Sequence, residues 1–238
     1  MAKVLAIVQA RMSSTRLPGK SLADVGGEPL LSLLLRRLQR SRMIDRLVIA
    51  TSLDSSDDAI EATARQMDSH VYRGDRDDVL ARFVAAADGH TGPIVRITAD
   101  CPLLDPSIAD QVIDLFLGQA ECDYASNIEP RTYPDGLDVE VVSPELLERL
   151  AGSVDDPSDR EHVTSAIRRD LEHVRSASLV QDANLGDLRW TVDTSDDLEF
   201  VREVIDRLGR RRYDAGMSEI LAAIREAPSL AGHGGRRA

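Results

Sequence analysis

The chain has 238 residues, of which 42% are hydrophobic and 29% are charged, and its formal net charge is −12 at pH 7. These values are typical of a water-soluble globular protein, and the acidity excludes the broad basic face that non-specific binding of nucleic acid requires. No apolar run approaches the roughly 20 residues that cross a bilayer, so we expect no membrane contact and a cytoplasmic location.

The charge is unevenly distributed along the chain. Residues 1–50 hold nine basic side chains against three acidic ones, a local charge of +6, and the remaining 188 residues therefore carry −18. The chain has two lysines, Lys3 and Lys20, and only Lys20 lies away from the N-terminus. A local excess of positive charge in an acidic protein predicts a site for a small anion.

Short apolar runs alternate with helical patterns over the first half of the chain. Buried strands are predicted at residues 4–8, 46–52, 70–72 and 93–98. Helices are predicted at residues 29–42, 57–67, 77–88 and 106–117. This alternation is typical of an α/β protein with a mainly parallel sheet and right-handed crossovers.

The second half of the chain has a less regular pattern. Strands are predicted at residues 123–127, 137–142 and 176–180, and helices at 144–150 and 159–170. A short strand at 189–193 and a helix at 195–208 follow. We interpret residues 1–208 as one domain with a β-rich insertion in its second half, and residues 209–238 as a C-terminal helix and a frayed tail.

Residues 9–21 follow the first predicted strand and contain three cations, Arg11, Arg16 and Lys20, without an acid. Ligands of α/β sheets bind at the carboxyl ends of the strands, so these cations are expected to converge on the ligand site. Phosphate fits them, because arginine forks, a lysine charge and backbone N–H groups all bind it. Any one of the three residues is equally well explained as part of a solvated basic loop, but the set favours phosphate binding.

Residues 14–21 nearly match the P-loop pattern G-x-x-x-x-G-K-[ST]. Ser14 replaces its first glycine, and a turn signal at residues 26–29 follows where the P-loop pattern needs a long helix. No G-x-G-x-x-G fingerprint of a dinucleotide site occurs either. The phosphate loop is therefore of another kind.

Residues 9–20 read Gln-Ala-Arg-Met-Ser-Ser-Thr-Arg-Leu-Pro-Gly-Lys. They resemble the A-R-x-x-S-x-R-L-P-G-K signature of sugar cytidylyltransferases of the CMP-Kdo synthetase and acylneuraminate cytidylyltransferase group. The resemblance is greatest to the branch described as spore-coat polysaccharide biosynthesis cytidylyltransferases. It continues through residues 72–75, 77–82, 98–103, 133–140, 159–164 and 189–194.

The resemblance covers about residues 3–208 and implies both a fold and an activity. The fold is three-layer and nucleotide-diphospho-sugar transferase-like (Rossmann-like), with a mainly parallel sheet. The activity is transfer of CMP from CTP to an acidic sugar or related acceptor, with release of pyrophosphate, for polysaccharide or glycoconjugate precursors. A homodimer that uses residues of about 121–180, the region that also binds the acceptor, is a further expectation from the family.

The resemblance also implies roles for particular residues. The catalytic cations are Lys20, on the α-phosphoryl and the leaving pyrophosphate, and Arg11 and Arg16, on the β- and γ-phosphates. The nucleotide-binding residues expected in the phosphate loop are Gln9, Ala10, Arg11, Ser13, Ser14, Thr15, Arg16 and Lys20. Those expected to read cytosine are Thr51, Arg73, Gly74 and Asp77, although capping of the third helix explains Asp77 as well.

Two aspartates match the family's ligands of Mg²⁺, the expected cofactor. They are Asp100, directly after the fourth strand, and Asp193. Hard carboxylate oxygens, few in number, suit a cation that keeps water and binds substrate phosphates. A turn cap explains Asp100 equally, and the start of a helix explains Asp193.

The acceptor pocket is expected within an unusually polar stretch. Its residues are Arg131, Tyr133, Asp135, Asp138 and Glu140, for which a surface hairpin is the alternative. A solvated helix face is likewise an alternative to acceptor contact for Arg160, Glu161 and His162.

The acceptor motifs of the Kdo and neuraminate enzymes do not occur in residues 121–170, so the acceptor stays open. Sugar phosphates, phosphonates and polyol phosphates satisfy the same chemistry. Two other functions also stay open: a nucleotidyltransferase with a different base, and a catalytically silent CTP-binding protein.

Overall fold

The apolar runs of the first half form four parallel strands of a single sheet. They are β1 (Leu5–Gln9), β2 (Arg46–Ser52), β3 (His70–Gly74) and β4 (Ile94–Thr98), and they lie in the order β3-β2-β1-β4. The computed structural model describes residues 2–227 and Leu230. Because β1 lies between β2 and β4, the loop that follows β1 leaves the middle of the sheet's carboxyl edge.

The second half extends the same sheet beyond β4. It adds β5 (Tyr124–Ser126), β6 (Glu140–Val142) and β7 (Ser176–Ser178), which gives seven strands in the order β3-β2-β1-β4-β6-β5-β7. Only β6 runs in the opposite direction, antiparallel to both β4 and β5, while β7 is parallel to β5. The predicted mainly parallel sheet with a β-rich second half is thus confirmed.

Helices cover both faces of the sheet and complete three layers. On one face lie α1 (Leu30–Leu38), α2 (Asp58–Gln66), α4 (Pro106–Gly118), α8 (Ser195–Leu208) and α9 (Met217–Arg225). On the other lie α3 (Val79–Ala86), α5 (Pro144–Ser153), α6 (Pro157–His162) and α7 (Ser165–Arg169). Each face of the sheet carries its own hydrophobic core, and successive side chains of β1 point to opposite faces. Ala6 and Val8 pack into the core beneath the first group of helices, and Leu5 and Ile7 into the core beneath the second. Among the helices of the described residues, none has the length and apolar character to cross a membrane.

Two predictions of local structure are wrong. Residues 189–193 do not form a strand, because only an isolated bridge joins Arg189 to Asp135 and the segment then turns into α8. The helix predicted at 159–170 is two helices, since Val163 adopts a left-handed φ of 57° between α6 and α7. The C-terminal helix is present as α9, and the predicted frayed tail falls mostly outside the described residues.

Candidate functional site

A polar cleft of about 750 Å³ lies at the carboxyl edge of the sheet, beside the ends of β1 and β4. It is lined by most of the residues that the sequence predicts for the site: Gln9, Ala10, Arg11, Ser14, Thr15, Arg16, Lys20, Asp100, Arg131, Asp135, Asp138, Glu140 and Asp193. The structure thus brings the phosphate loop, both expected metal ligands and four of the five expected acceptor residues to one cavity. Ser13 belongs to the same loop without lining the cleft.

The phosphate loop folds back on itself so that Lys20 lies at the cleft. Gly19 has a φ of 77°, a left-handed conformation that glycine adopts without a Cβ penalty, and a short 3-10 helix (Lys20–Leu22) follows. The Ser21 hydroxyl donates to the Arg11 carbonyl oxygen at 3.1 Å, which ties the two ends of the loop together. The lysine therefore belongs to a turn, as expected, and not to the start of a P-loop helix.

The ammonium group of Lys20 lies between the two aspartates that were predicted to bind metal. Its Nζ donates to Asp100 Oδ2 at 2.8 Å, to Asp193 Oδ1 at 2.9 Å and to the Val192 carbonyl oxygen at 2.8 Å. Burial alone lowers the pKa of Lys20, but the two carboxylates more than offset this effect and raise it above its ordinary value. Lys20 is therefore a permanent cation of this cleft.

Further arginines surround the same carboxylates. Arg16 Nη2 lies 2.8 Å from Asp193 Oδ1, and 63% of its side chain is exposed, so it is available to a ligand. Arg189 approaches the other oxygen of Asp193 at 3.3 Å. Arg11 donates to Glu161 at 2.6 Å across the cleft, which places the predicted acceptor-side residue Glu161 next to the phosphate loop.

The alternative that Asp193 caps a helix is wrong. Thr194 is the N-cap of α8, and its hydroxyl accepts from the backbone N–H of Asp197 in a capping box. The Asp193 carboxylate is thereby left to face Lys20, Arg16 and Arg189. Its position is not explained by the helix that follows it.

The two aspartates fit a hydrated Mg²⁺ by their chemistry. Both present carboxylate oxygens to a single cationic atom, Nζ of Lys20, so a small cation can contact both. Mg²⁺ binds proteins through one or two carboxylates and completes its coordination with water and substrate phosphates. Over residues 2–227 and Leu230, no group of three or more His, Cys, Asp or Glu side chains is placed to hold a metal ion.

The predicted acceptor residues form the far wall of the cleft. Arg131 donates to both carboxylate oxygens of Asp138, at 2.6 and 2.7 Å, and also lies 3.8 Å from Asp135. Burial raises the pKa of Asp138 above its ordinary value despite this pairing. Tyr133 packs instead into the core with 6% of its surface exposed, and it is absent from the cleft.

The surface-hairpin alternative for this stretch is wrong. Leu137 and Val139 are fully buried, and the Asn127 side chain bonds to the backbone of both. Glu140 begins β6 with 2% exposure and accepts from Arg96, Arg168 and the Tyr124 hydroxyl. Residues 131–140 are thus an ordered segment that packs against the core on one side and lines the cleft on the other.

Four residues predicted to read cytosine lie outside the set that lines the cleft: Thr51, Arg73, Gly74 and Asp77. The buried Thr51 hydroxyl donates to Asp57 Oδ2 at 2.9 Å, and Asp57 also accepts from the Met12 backbone N–H at 2.8 Å. Thr51 therefore contributes to a support beneath the phosphate loop. A direct role of these four residues in base recognition stays a prediction.

Arg73 and Asp77 have well-defined surroundings of their own. Arg73 donates to the carbonyl oxygens of Ser52 and Asp54 and pairs with Asp58 and Glu61 at 2.6 and 3.0 Å. The capping alternative for Asp77 is wrong, because the N-cap of α3 is Asp78, whose carboxylate accepts from the backbone N–H of Ala81. Asp77 is exposed and pairs with Arg76.

Three arginines that sequence reasoning missed also line the cleft: Arg82, Arg96 and Arg168. Arg96 donates through Nε to Gln9 Oε1 at 3.2 Å, and Arg168 donates to Glu140 at 3.0 Å. One signal was present, since an arginine within the apolar run of β4 needs a buried partner. Arg168 has the spacing of an ordinary helix residue and carries no comparable signal, whereas Arg82 is the last residue of the segment 77–82 that takes part in the family resemblance.

Comparison with known proteins identifies both the class of enzyme and the family to which the chain belongs. Its fold and cleft are those of a nucleotide-transferring enzyme, and the sequence model of a family described as cytidylyltransferase matches residues 5–205. The chain belongs to this cytidylyltransferase family. It is therefore a nucleotidyltransferase that uses CTP.

Individual relatives agree with this assignment. The chain is 34% identical over 241 residues to the spore coat polysaccharide biosynthesis protein SpsF of Bacillus subtilis. This match covers 97% of the chain and 98% of the relative. A cytidylyltransferase structure from Leptospira borgpetersenii superposes with a TM-score of 0.92 at 31% identity, over 97% of each chain. CMP:2-keto-3-deoxy-manno-octonic acid synthetase, solved in complex with CTP, shares the fold with a TM-score of 0.66 at 16% identity, over 86% of this chain and 99% of that one.

Proposed function

We propose that the protein is a Mg²⁺-dependent enzyme that transfers CMP from CTP to an acidic sugar or related anionic acceptor and releases pyrophosphate. The observation that carries this proposal is Lys20, held at 2.8 and 2.9 Å by Asp100 and Asp193 at the centre of the cleft. The name of the B. subtilis relative supports a place in the synthesis of polysaccharide or glycoconjugate precursors. A homodimer through about residues 121–180 and a cytoplasmic location remain part of the proposal.

The cations of the phosphate loop suit substitution at the α-phosphorus. As the acceptor oxygen attacks, the bond to the bridging oxygen breaks and negative charge grows on the departing pyrophosphate. In this proposal Lys20 neutralises that charge, and Arg16 and Arg11 exchange their ion pairs with Asp193 and Glu161 for the outer phosphates. When bound, Mg²⁺ supplies further neutralisation of the phosphate oxygens, held by Asp100 and Asp193.

The far wall suits an acceptor that carries negative charge. Arg96 and Arg168 share the single buried carboxylate of Glu140, so this cluster keeps one positive charge in excess. Arg131 is paired with Asp138 and is thus held in place beside it. A carboxylate or phosphate of the acceptor would complement the positive charge of Arg96 and Arg168. Hydroxyl groups of a sugar would find hydrogen-bond partners in Arg131 and Asp138.

The proposal is tested by pyrophosphate release from each of the four nucleoside triphosphates with Mg²⁺. The acceptor panel contains acidic sugars, sugar phosphates, polyol phosphates and phosphonates, and the mass of each product identifies the acceptor. We expect release only with CTP and at least one anionic acceptor. Binding of ATP or GTP without binding of CTP contradicts the choice of base, and CTP binding without turnover on any acceptor favours a silent CTP-binding protein.

A further inference from the structure

Arg82 is a buried cation of the cleft that has no counter-ion among residues 2–227 and Leu230. It lies on α3 with 2% of its surface exposed, yet it lines the cleft. Its Nε has no hydrogen-bond partner, and its Nη1 makes only a long contact of 3.4 Å to the Arg76 carbonyl oxygen. No carboxylate of the described residues lies within 4.0 Å of its guanidinium nitrogens. A buried charge without a partner is strongly destabilising, so its retention indicates a ligand.

Arg11 adds a second positive charge to the same part of the cleft. Burial is the main cause that lowers the pKa of Arg82, and the charge of Arg11 is the next. The carboxylates of Asp57, Asp75 and Asp77 act on Arg82 only from beyond ion-pair distance. Within the described residues, the one acid paired with Arg11 is Glu161, whose side chain is 39% exposed and therefore weakly neutralising. The two guanidinium groups thus lack one compensating anion.

Gly74 makes room for the side chain of Arg82. A Cβ at position 74 would lie 2.8 Å from Cγ of Arg82 and 3.6 Å from its Cδ. Contacts below 3.0 Å require one of the groups to move, so the missing side chain at the end of β3 lets the Arg82 stem pass toward the cleft. Gly74 thus has a steric role toward Arg82, and its expected part in reading cytosine stays a prediction.

We propose that Arg82, together with Arg11, binds the β- and γ-phosphates of the nucleotide, the part that leaves as pyrophosphate. This assignment rests on the proposed function and names a residue outside the phosphate loop. Two planar forks match the oxygens of a diphosphate, which carries more charge than any other part of the two substrates. The other unassigned arginines, Arg96 and Arg168, already share Glu140, whereas Arg82 pairs with no acid in the part of the chain that the structure describes.

Calorimetric titration of the full chain with inorganic pyrophosphate, CTP and CMP tests the assignment. We expect Arg82→Met to weaken the binding of pyrophosphate and CTP by tenfold or more and to change that of CMP by less than twofold, because CMP lacks the outer phosphates. Arg76→Met is the matched control, since Arg76 lies nearby with a side chain that is 53% exposed. It should leave all three affinities unchanged.

Arg82→Lys keeps the positive charge but loses the planar fork, and it provides the test if Arg82→Met does not fold. We expect it to weaken pyrophosphate binding while CMP binding is kept. Unchanged pyrophosphate binding in the folded variant, or equal losses for CMP and pyrophosphate, overturns the assignment. Failure of the unsubstituted protein to bind CTP is a distinct result, because it contradicts the proposed function itself.

Discussion

Lys20 and Asp100 form an ion pair of 2.8 Å at the centre of the cleft, and Asp193 completes it from the other side at 2.9 Å. The lysine thus occupies the space between two carboxylates that a metal ion is proposed to use. A divalent cation placed there repels the ammonium group. If the proposed metal ion binds there, its binding is coupled to withdrawal of Lys20 from the carboxylates, and a nucleotide phosphate would attract the lysine away.

Replacement of Lys20 by methionine should strengthen the binding of a metal ion in the absence of nucleotide. Each charge-assisted hydrogen bond of the lysine is worth ~1.5–3 kcal/mol, so the affinity for Mn²⁺ alone should rise by at least about tenfold. Turnover should fall by about 10²–10³-fold, because the cation on the phosphates is lost. Mn²⁺ titration followed by electron paramagnetic resonance measures the first effect. Unchanged affinity contradicts the coupling, and Asp100→Asn added to the variant should remove the gain.

Substitution of Glu140 by glutamine should cost stability in a pH-dependent way. Burial raises the pKa of Glu140, but Arg96 and Arg168 more than offset this and lower it below 4.5. A carboxyl group whose pKa is lower in the folded chain than in the unfolded chain stabilises the fold at any pH above its unfolded-state pKa. This stabilisation is lost as the pH falls through its folded-state pKa. Denaturant unfolding at pH 7 should thus show a loss of about 3 kcal/mol that shrinks below pH ~4.5.

Glu145→Gln on α5 is the matched control for Glu140, because Glu145 is exposed. It should change the free energy of unfolding by less than about 0.5 kcal/mol at either pH. In turnover assays, Glu140→Gln should raise KM for the acceptor more than KM for CTP, since the arginines it holds lie on the far wall of the cleft, which is proposed to bind the acceptor. A larger effect on KM for CTP contradicts that placement.

Asp57→Asn should loosen the phosphate loop. Asp57 is 1% exposed and accepts from the backbone N–H of Met12, from the Thr51 hydroxyl and from Ser52, and these bonds outweigh burial and lower its pKa. The amide cannot accept from all of them, so we expect a loss of about 2 kcal/mol at pH 7, measured by denaturant unfolding. The loss should decrease as the pH falls below the ordinary aspartate value near 3.8. A loss independent of pH between 7 and 3 contradicts this account.

Gly136→Ala should disturb the segment that carries Asp193. Gly136 has a φ of 104°, and a Cβ there would lie 2.7 Å from the backbone carbon of Trp190 and 2.9 Å from the backbone nitrogen of Thr191. We expect a loss of more than about 2 kcal/mol in the free energy of unfolding and a lower turnover. Gly152→Ala in α5, with no heavy atom within 4 Å of its added Cβ, should be neutral or stabilising by up to about 1 kcal/mol. Equal melting temperatures for the two variants contradict the prediction.

The elements of the first half were predictable because local patterns coincide with tertiary burial there. The apolar runs of β1, β2 and β4 are buried on both faces, so composition alone distinguishes them from helices. Val163 could not be foreseen, because a β-branched residue with a left-handed φ contradicts its own preference and is held there by burial. The segment 189–193 has the apolar content of a strand, but Trp190 is buried against a loop and has no ladder partner.

The phosphate loop was predictable because its residues match a known signature and follow β1, and Asp100 was predictable because it follows β4; Asp193 follows no strand and was named from the resemblance alone. The acceptor wall was predictable only in part, since Tyr133 and Glu140 look alike as polar residues of one stretch while only Glu140 reaches the cleft. Arg82 ends the segment 77–82 of the family resemblance, but its lack of an acidic partner among the described residues could not be predicted, because it depends on the three-dimensional structure. Pairing across long sequence separations, such as Arg11 with Glu161, is not encoded in any local pattern.

The reversed strand β6 has a consequence for how this architecture accommodates different acceptors. Because β6 runs against its neighbours, its first residue, Glu140, stands at the edge where β4 ends, opposite Arg96. The segment that leads into β6 is thus separate in sequence from β1 and β4, which precede the phosphate loop and Asp100, but its Gly136 packs against the backbone of Trp190 and Thr191 beside Asp193. Under the proposed function, the residues expected to bind the acceptor and those expected to bind CTP therefore come from different stretches of chain that meet at Gly136.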